Sequence, residues 1–143
     1  MRRAAVLFVV ALLAGCGSSS GTKRISPDHA TLVDVDVHNS SASFAFDVAP
    51  DRIRSSWAAR STLAECGSGR PIRPPGSAFY VIHFQPGQSQ GIPKQIVMPS
   101  GPILRADKLC DFEADVAWVL ALDTKLPADV SRDGSTVTVT FGG

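Results

Sequence analysis

The chain has 143 residues, 44% of them hydrophobic and 19% charged, with a formal net charge of +1 at pH 7. That hydrophobic content excludes a disordered polar chain, and the near-neutral balance excludes nucleic-acid binding driven by overall charge. The length suits one domain with one hydrophobic core, and no internal repeat suggests otherwise.

Residues 1–15 open with Arg2 and Arg3 and continue as an apolar run from Ala4 to Leu13. This is the charged-then-apolar layout of a secretory signal, too short to be a permanent membrane helix. Leu13, Ala14 and Gly15 precede Cys16, and this tetrad resembles the bacterial lipoprotein box. The resemblance implies that the Cys16 thiol receives a diacylglycerol, that residues 1–15 are removed, and that the chain works outside the cytoplasm, held to the cell membrane by lipid. Removal of Arg2 and Arg3 leaves twelve Lys and Arg against thirteen Asp and Glu, a formal charge of −1. Residues 16–29 read as a linker, because Gly17 to Thr22 has no side chain able to build a core. The folded domain is expected over residues 30–143.

Strand signals begin at once. Val33, Val35 and Val37 alternate with Asp34 and Asp36, which places the valines on one face and the aspartates on the other. Ala42, Phe44, Phe46 and Val48 repeat the pattern against Ser43 and Asp47, and the intervening residues 38–41 favour a turn, so a hairpin is expected. Residues 56–63 suit either a strand or a short helix. Three prolines make residues 70–76 an extended loop. Residues 79–84 are apolar on both faces apart from His83, as in a buried central strand. Residues 85–93 read as a long surface loop, and residues 94–98 as a short strand. Phe112, Ala114, Val116, Trp118, Leu120 and Leu122 occupy every second position of one further strand. Asp133-Gly134 turns the chain into a last strand, Thr136 to Phe141. About seven short strands predict an all-β fold, a small antiparallel sandwich or partly open barrel.

Cys16 goes to lipid, so Cys66 and Cys110 remain. In an oxidising exterior two such thiols are expected to pair as one disulfide. Neither lies in a metal-binding or thiol-enzyme motif. His29, His38 and His83 lack metal-ligand spacing, and Gly67-Ser68-Gly69 lacks the strand-turn-helix frame of a nucleophile elbow. Asp34, Asp36 and Asp47 could meet on the wet face of the first hairpin, yet no glycine-bearing calcium loop accompanies them. The chain is therefore expected to be non-enzymatic, with no catalytic residues, metal or cofactor.

Charge is unevenly spread. Arg52, Arg54, Arg60, Arg70 and Arg73 crowd one segment, opposed there by Glu65, while residues 107–133 hold seven acids. Guanidinium forks suit carboxylates and phosphates, and Trp57 and Tyr80 could add stacking faces for sugars. Two accounts stay open: a ligand-binding basic patch, or arginines paired with the acidic half and aromatics in the core.

The stretch Thr31-Leu32-Val33-Asp34-Val35-Asp36-Val37-His38, followed by residues 43–47, resembles the opening hairpin of the AMIN-like domain of actinobacterial lipoproteins. Residues 67–72 leading to Ala78-Phe79-Tyr80-Val81 resemble its next block, and Cys110-Asp111-Phe112-Glu113 with residues 117–123 resembles its strand before the final hairpin. The resemblance implies a small β-sandwich related to the AMIN modules that direct envelope proteins to peptidoglycan. It brings no catalytic residues. The expected function is binding of a cell-envelope component, peptidoglycan or a wall polymer. The alternatives are an adaptor for an envelope protein and a carrier of a small apolar ligand.

Overall fold

The first hairpin forms where the period-two pattern placed it, with β1 (Ala30–His38) and β2 (Ser41–Phe46) joined at Asn39-Ser40. The structure, a computed structural model, describes residues 29–142. The expected signal segment, Cys16 and the linker residues up to 28 lie outside the described residues. Strands β3 (Arg52–Ala58), β4 (Ala78–Gln85), β5 (Gly87–Ser89), β6 (Gln95–Val97), β7 (Ile103–Phe112), β8 (Asp115–Leu122), β9 (Ala128–Asp133) and β10 (Thr136–Phe141) follow. They make two five-stranded sheets, β5-β1-β2-β10-β9 and β3-β4-β8-β7-β6, in which only the β1–β5 pairing is parallel. Neither sheet closes into a barrel, and the fold is an all-β sandwich.

The sheets meet face to face. Phe44 and Phe46 of the first pack on Phe84 of the second at ring-centroid distances of 5.0 and 4.8 Å, and Phe44 also meets Trp118 at 6.1 Å. Leu32, Ile82, Leu120, Val137 and Val139 complete a fully buried layer around them. Each such side chain contributes about 1.5–3 kcal/mol of transfer free energy. Trp118 Nε1 is buried with no hydrogen-bond partner among the described residues, a cost of about 1–3 kcal/mol against that gain.

The second sheet is buried on its other side too. Residues 59–77 lie across its outer face as a strap, with Leu63 and Ile72 packing on Phe79, Val81, Leu109, Val119 and Ala121 in a second apolar cluster. That double burial is why β4 and β8 are apolar on both faces. Within residues 56–63 the chain finishes β3 and then makes one 3-10 turn, Arg60–Thr62.

Four expectations are corrected. A bulge between Leu32 and Asp34 turns Val33 outward, 50% exposed, and puts Leu32 in the core instead. Val48 is exposed because β2 ends at Phe46. Residues 112–122 are not one strand: Glu113 and Ala114, both at positive φ, form a two-residue turn between β7 and β8, and Phe112 is 54% exposed. The surface loop at residues 85–93 contains β5, and with β7 and β9, which also stand where no strand was expected, this gives ten strands where about seven were expected.

Candidate functional site

The five arginines of the basic segment divide into two groups. Arg60 and Arg70 serve the strap. Arg60 donates to the carbonyls of Pro74 (2.6 Å) and Gly76 (2.5 Å), and its guanidinium lies 4.6 Å from the Phe79 ring centroid. Arg70 donates to Glu65 Oε1 at 2.6 Å, which pulls the Glu65 carboxyl below its ordinary range and pushes the guanidinium up. Arg52, Arg54 and Arg73 are exposed and form no ion pair among the described residues. Arg52 and Arg54 alternate with the core-facing Ile53 and so project from the outer face of β3, where Arg54 donates to Gln85 Oε1 at 3.1 Å. Asp51 and Glu113 line the same depression as Arg52 without pairing with it. None of the five arginines pairs with any of the seven acids of residues 107–133 among the described residues.

Both candidate stacking aromatics pack inward. Tyr80 is buried, with its hydroxyl donating to Ser55 Oγ at 2.8 Å and its ring 5.4 Å from Phe141. Trp57 is half-buried against Tyr80 and Phe141, and Lys125 Nζ sits 5.4 Å from its centroid. Of Asp34, Asp36 and Asp47, Asp36 accepts from His38 Nε2 at 2.8 Å and Asp47 accepts from backbone N–H groups. No metal-holding group of three or more His, Cys, Asp or Glu exists among the described residues.

Cys66 and Cys110 form the expected disulfide, with Cα atoms 5.1 Å apart. It ties the strap to β7 and forms part of the wall of a groove of ≈ 280 Å³ on the outer face of the second sheet. Val81 and Leu109 give this groove an apolar, largely buried floor with Ala117 fully buried beneath; Ser56, Thr62, His83 and Asp115 are its polar groups. His83 Nδ1 lies 3.0 and 3.2 Å from the two oxygens of Asp115. A carboxylate can only accept, so Nδ1 carries the proton and Nε2 faces away from Asp115. Ser56, His83 and Asp115 stand on three neighbouring strands, with Arg54 directly opposite His83. The order suggests a Ser-His-Asp relay, but no hydrogen bond joins Ser56 to His83 among the described residues. The arrangement can bind and orient polar groups, and it lacks the nucleophile–base contact of a relay.

The His83–Asp115 pair was not found from the sequence. The two residues are 32 positions apart and meet only through the β4–β8 register, for which the sequence carries no local signal. Comparison with protein-family models, curated proteins and solved structures found no match to this chain.

Proposed function

We propose that this protein is a lipid-anchored, non-enzymatic module of the cell envelope whose basic outer face binds an anionic wall polymer, peptidoglycan with its carboxylates or a phosphate-bearing chain. One observation carries the reading: Arg52, Arg54 and Arg73 stand exposed without ionic partners among the described residues, although acids are plentiful elsewhere in the chain. Guanidinium groups left unpaired keep their fork geometry available for carboxylate or phosphate. The lipoprotein-box resemblance at Cys16 supports the location, and the likeness to AMIN-like domains supports the ligand class. Among the described residues no helix is long and apolar enough to cross a membrane, and in this reading the acyl group supplies the attachment.

The test is co-sedimentation of the protein with purified cell wall over a range of salt. Retention is expected to fall as salt rises, and by about tenfold when Arg52, Arg54 and Arg73 are together replaced by glutamine. Salt-insensitive retention, or retention unchanged in the triple variant, refutes wall binding by this face. Capture by a wall-free envelope protein fraction alone would instead favour the adaptor reading.

A further inference from the structure

We infer that the groove beneath the disulfide-braced strap is a binding site for one neutral, polyhydroxylated ring, a single sugar residue. This deepens the envelope-polymer reading and rests on it for the ligand's source, whereas the ligand's chemistry follows from the groove itself. At ≈ 280 Å³ the space is at the lower end of small-ligand sites, about the size of one ring. What its floor exposes is aliphatic, Val81 at 8% and Leu109 at 9% above a fully buried Ala117, and suits an edge of the C–H face of such a ring.

The rim decides the class. Asp115 holds the Nδ1–H of His83, which fixes the imidazole plane and leaves Nε2 to meet a ligand. The carboxylate oxygens keep lone pairs beyond the one they share with His83, and the Ser56 hydroxyl can both donate and accept. Acceptors and an adaptable hydroxyl side by side match neighbouring alcohol groups, which also donate and accept. A metal ion would lack ligands here, since no group of three suitable side chains exists among the described residues. A purely apolar guest would leave His83 Nε2 and the Asp115 lone pairs not used by His83 desolvated without partners.

The groove is also pre-organised. Cys66–Cys110 fixes one wall to β7, and Arg60 ties the start of the strap to its end through the carbonyls of Pro74 and Gly76. Little ordering remains to be done when a ligand arrives. The sugar contacts carry no net ligand charge, so they are separable from the arginine contacts to an anionic polymer.

The experiment is a titration of the isotope-labelled full chain with N-acetylglucosamine and with glucose, followed by amide and imidazole resonances, with inorganic phosphate as a parallel probe. Saturable shifts are expected at Val81, His83 and Ala117 with at least one sugar. They should persist at high salt and in the variant lacking Arg52, Arg54 and Arg73. His83→Ala and, separately, Ser56→Ala should each weaken the interaction about five- to tenfold. Ser56 is exposed on an edge strand, so its variant reports on binding even if replacement of His83 disturbs the fold. Absence of saturable shifts with either sugar overturns the assignment. So do shifts indifferent to both substitutions, and shifts given by phosphate but by neither sugar. Wall retention lost in the arginine variant with sugar binding kept would separate the two readings.

Discussion

Asp47 shows how much one side chain contributes beyond the end of a strand. The β1–β2 ladder meets a bulge between Leu32 and Asp34 and continues only to Leu32 opposite Phe46. One step further, Asp47 N–H donates to the Thr31 carbonyl, and the Asp47 carboxylate accepts from Thr31 N–H and Val48 N–H, both at 2.7 Å. A side chain thus replaces the missing ladder bond and starts the turn toward β3. The Thr31 N–H bond is the main reason the Asp47 carboxyl is held below its ordinary value of 3.8. The folded chain therefore favours the charged form. The contribution to stability is complete above pH 3.8 and is lost as pH falls through the lower folded-state value. Asp47→Ala should cost about 1 kcal/mol at neutral pH in urea unfolding, with the gap from wild type closing in acid below pH 3.8. A gap that widens in acid would contradict this account.

At the scale of elements, the β7–β8 hairpin carries a local conflict. Its turn needs φ > 0 at both central positions, which Asn-Gly supplies readily, yet Glu113 and Ala114 occupy it at φ 50° and 63°. Replacing the pair by Asn-Gly should stabilise the domain by about 1 kcal/mol, read as a higher urea midpoint at unchanged slope. The same conflict explains why residues 112–122 read as one strand: nothing at Glu113-Ala114 signals a turn, and the period-two pattern runs straight through it. Strand β7 was illegible for a different reason. Two register shifts, between Ile103 and Arg105 and between Lys108 and Cys110, break its alternation, so Ile103, Ala106 and Leu109 are buried at a spacing of three. By contrast β10 and, as far as Phe46, β2, both wet on one face and regular, were legible residue by residue, as was the doubly apolar β4. Cysteine pairing was legible because only two thiols remained once Cys16 was assigned. The groove that the pairing builds was not, since it needs the strap and three strands in register. The disulfide closes a separation of 44 residues. Replacing both cysteines by serine should cost about 2–4 kcal/mol, measured by thermal or urea unfolding, while leaving the inter-sheet core intact by near-ultraviolet dichroism.

The whole molecule has two unlike outer faces. On the first sheet the outward positions carry Asp34 and Asp36 of β1, Ser43 of β2, Asp129 and Asp133 of β9 and the threonines of β10, with Ser43 bonded to Thr138 at 3.0 Å. Among these described positions there is no lysine or arginine. On the opposite side of the sandwich, β3 and the strap present Arg52, Arg54 and Arg73. A net charge near zero therefore hides an uneven spread across the fold: the first face carries acids, whereas the other carries these arginines together with acids such as Glu65 and Asp115. Packed sheets lie about 10 Å apart before outward side chains are added, so the two sets of charges are separated by more than the Debye length of about 8 Å at physiological salt. The faces should act independently there. At about 0.01 M salt, where that length reaches about 30 Å, the acidic face should repel the same anionic polymer that the basic face is proposed to bind. Neutralising Asp34, Asp36, Asp129 and Asp133 to asparagine should accordingly leave wall retention unchanged at physiological salt and raise it at low salt. Glutamine at Arg52, Arg54 and Arg73 should lower retention under both conditions. Equal effects of the two variants, at either salt, would mean that overall charge rather than a directed face governs association. Under the proposed N-terminal lipid tether the distinction matters, because only a directed face lets the tether and the polymer be engaged at once by opposite demands on orientation.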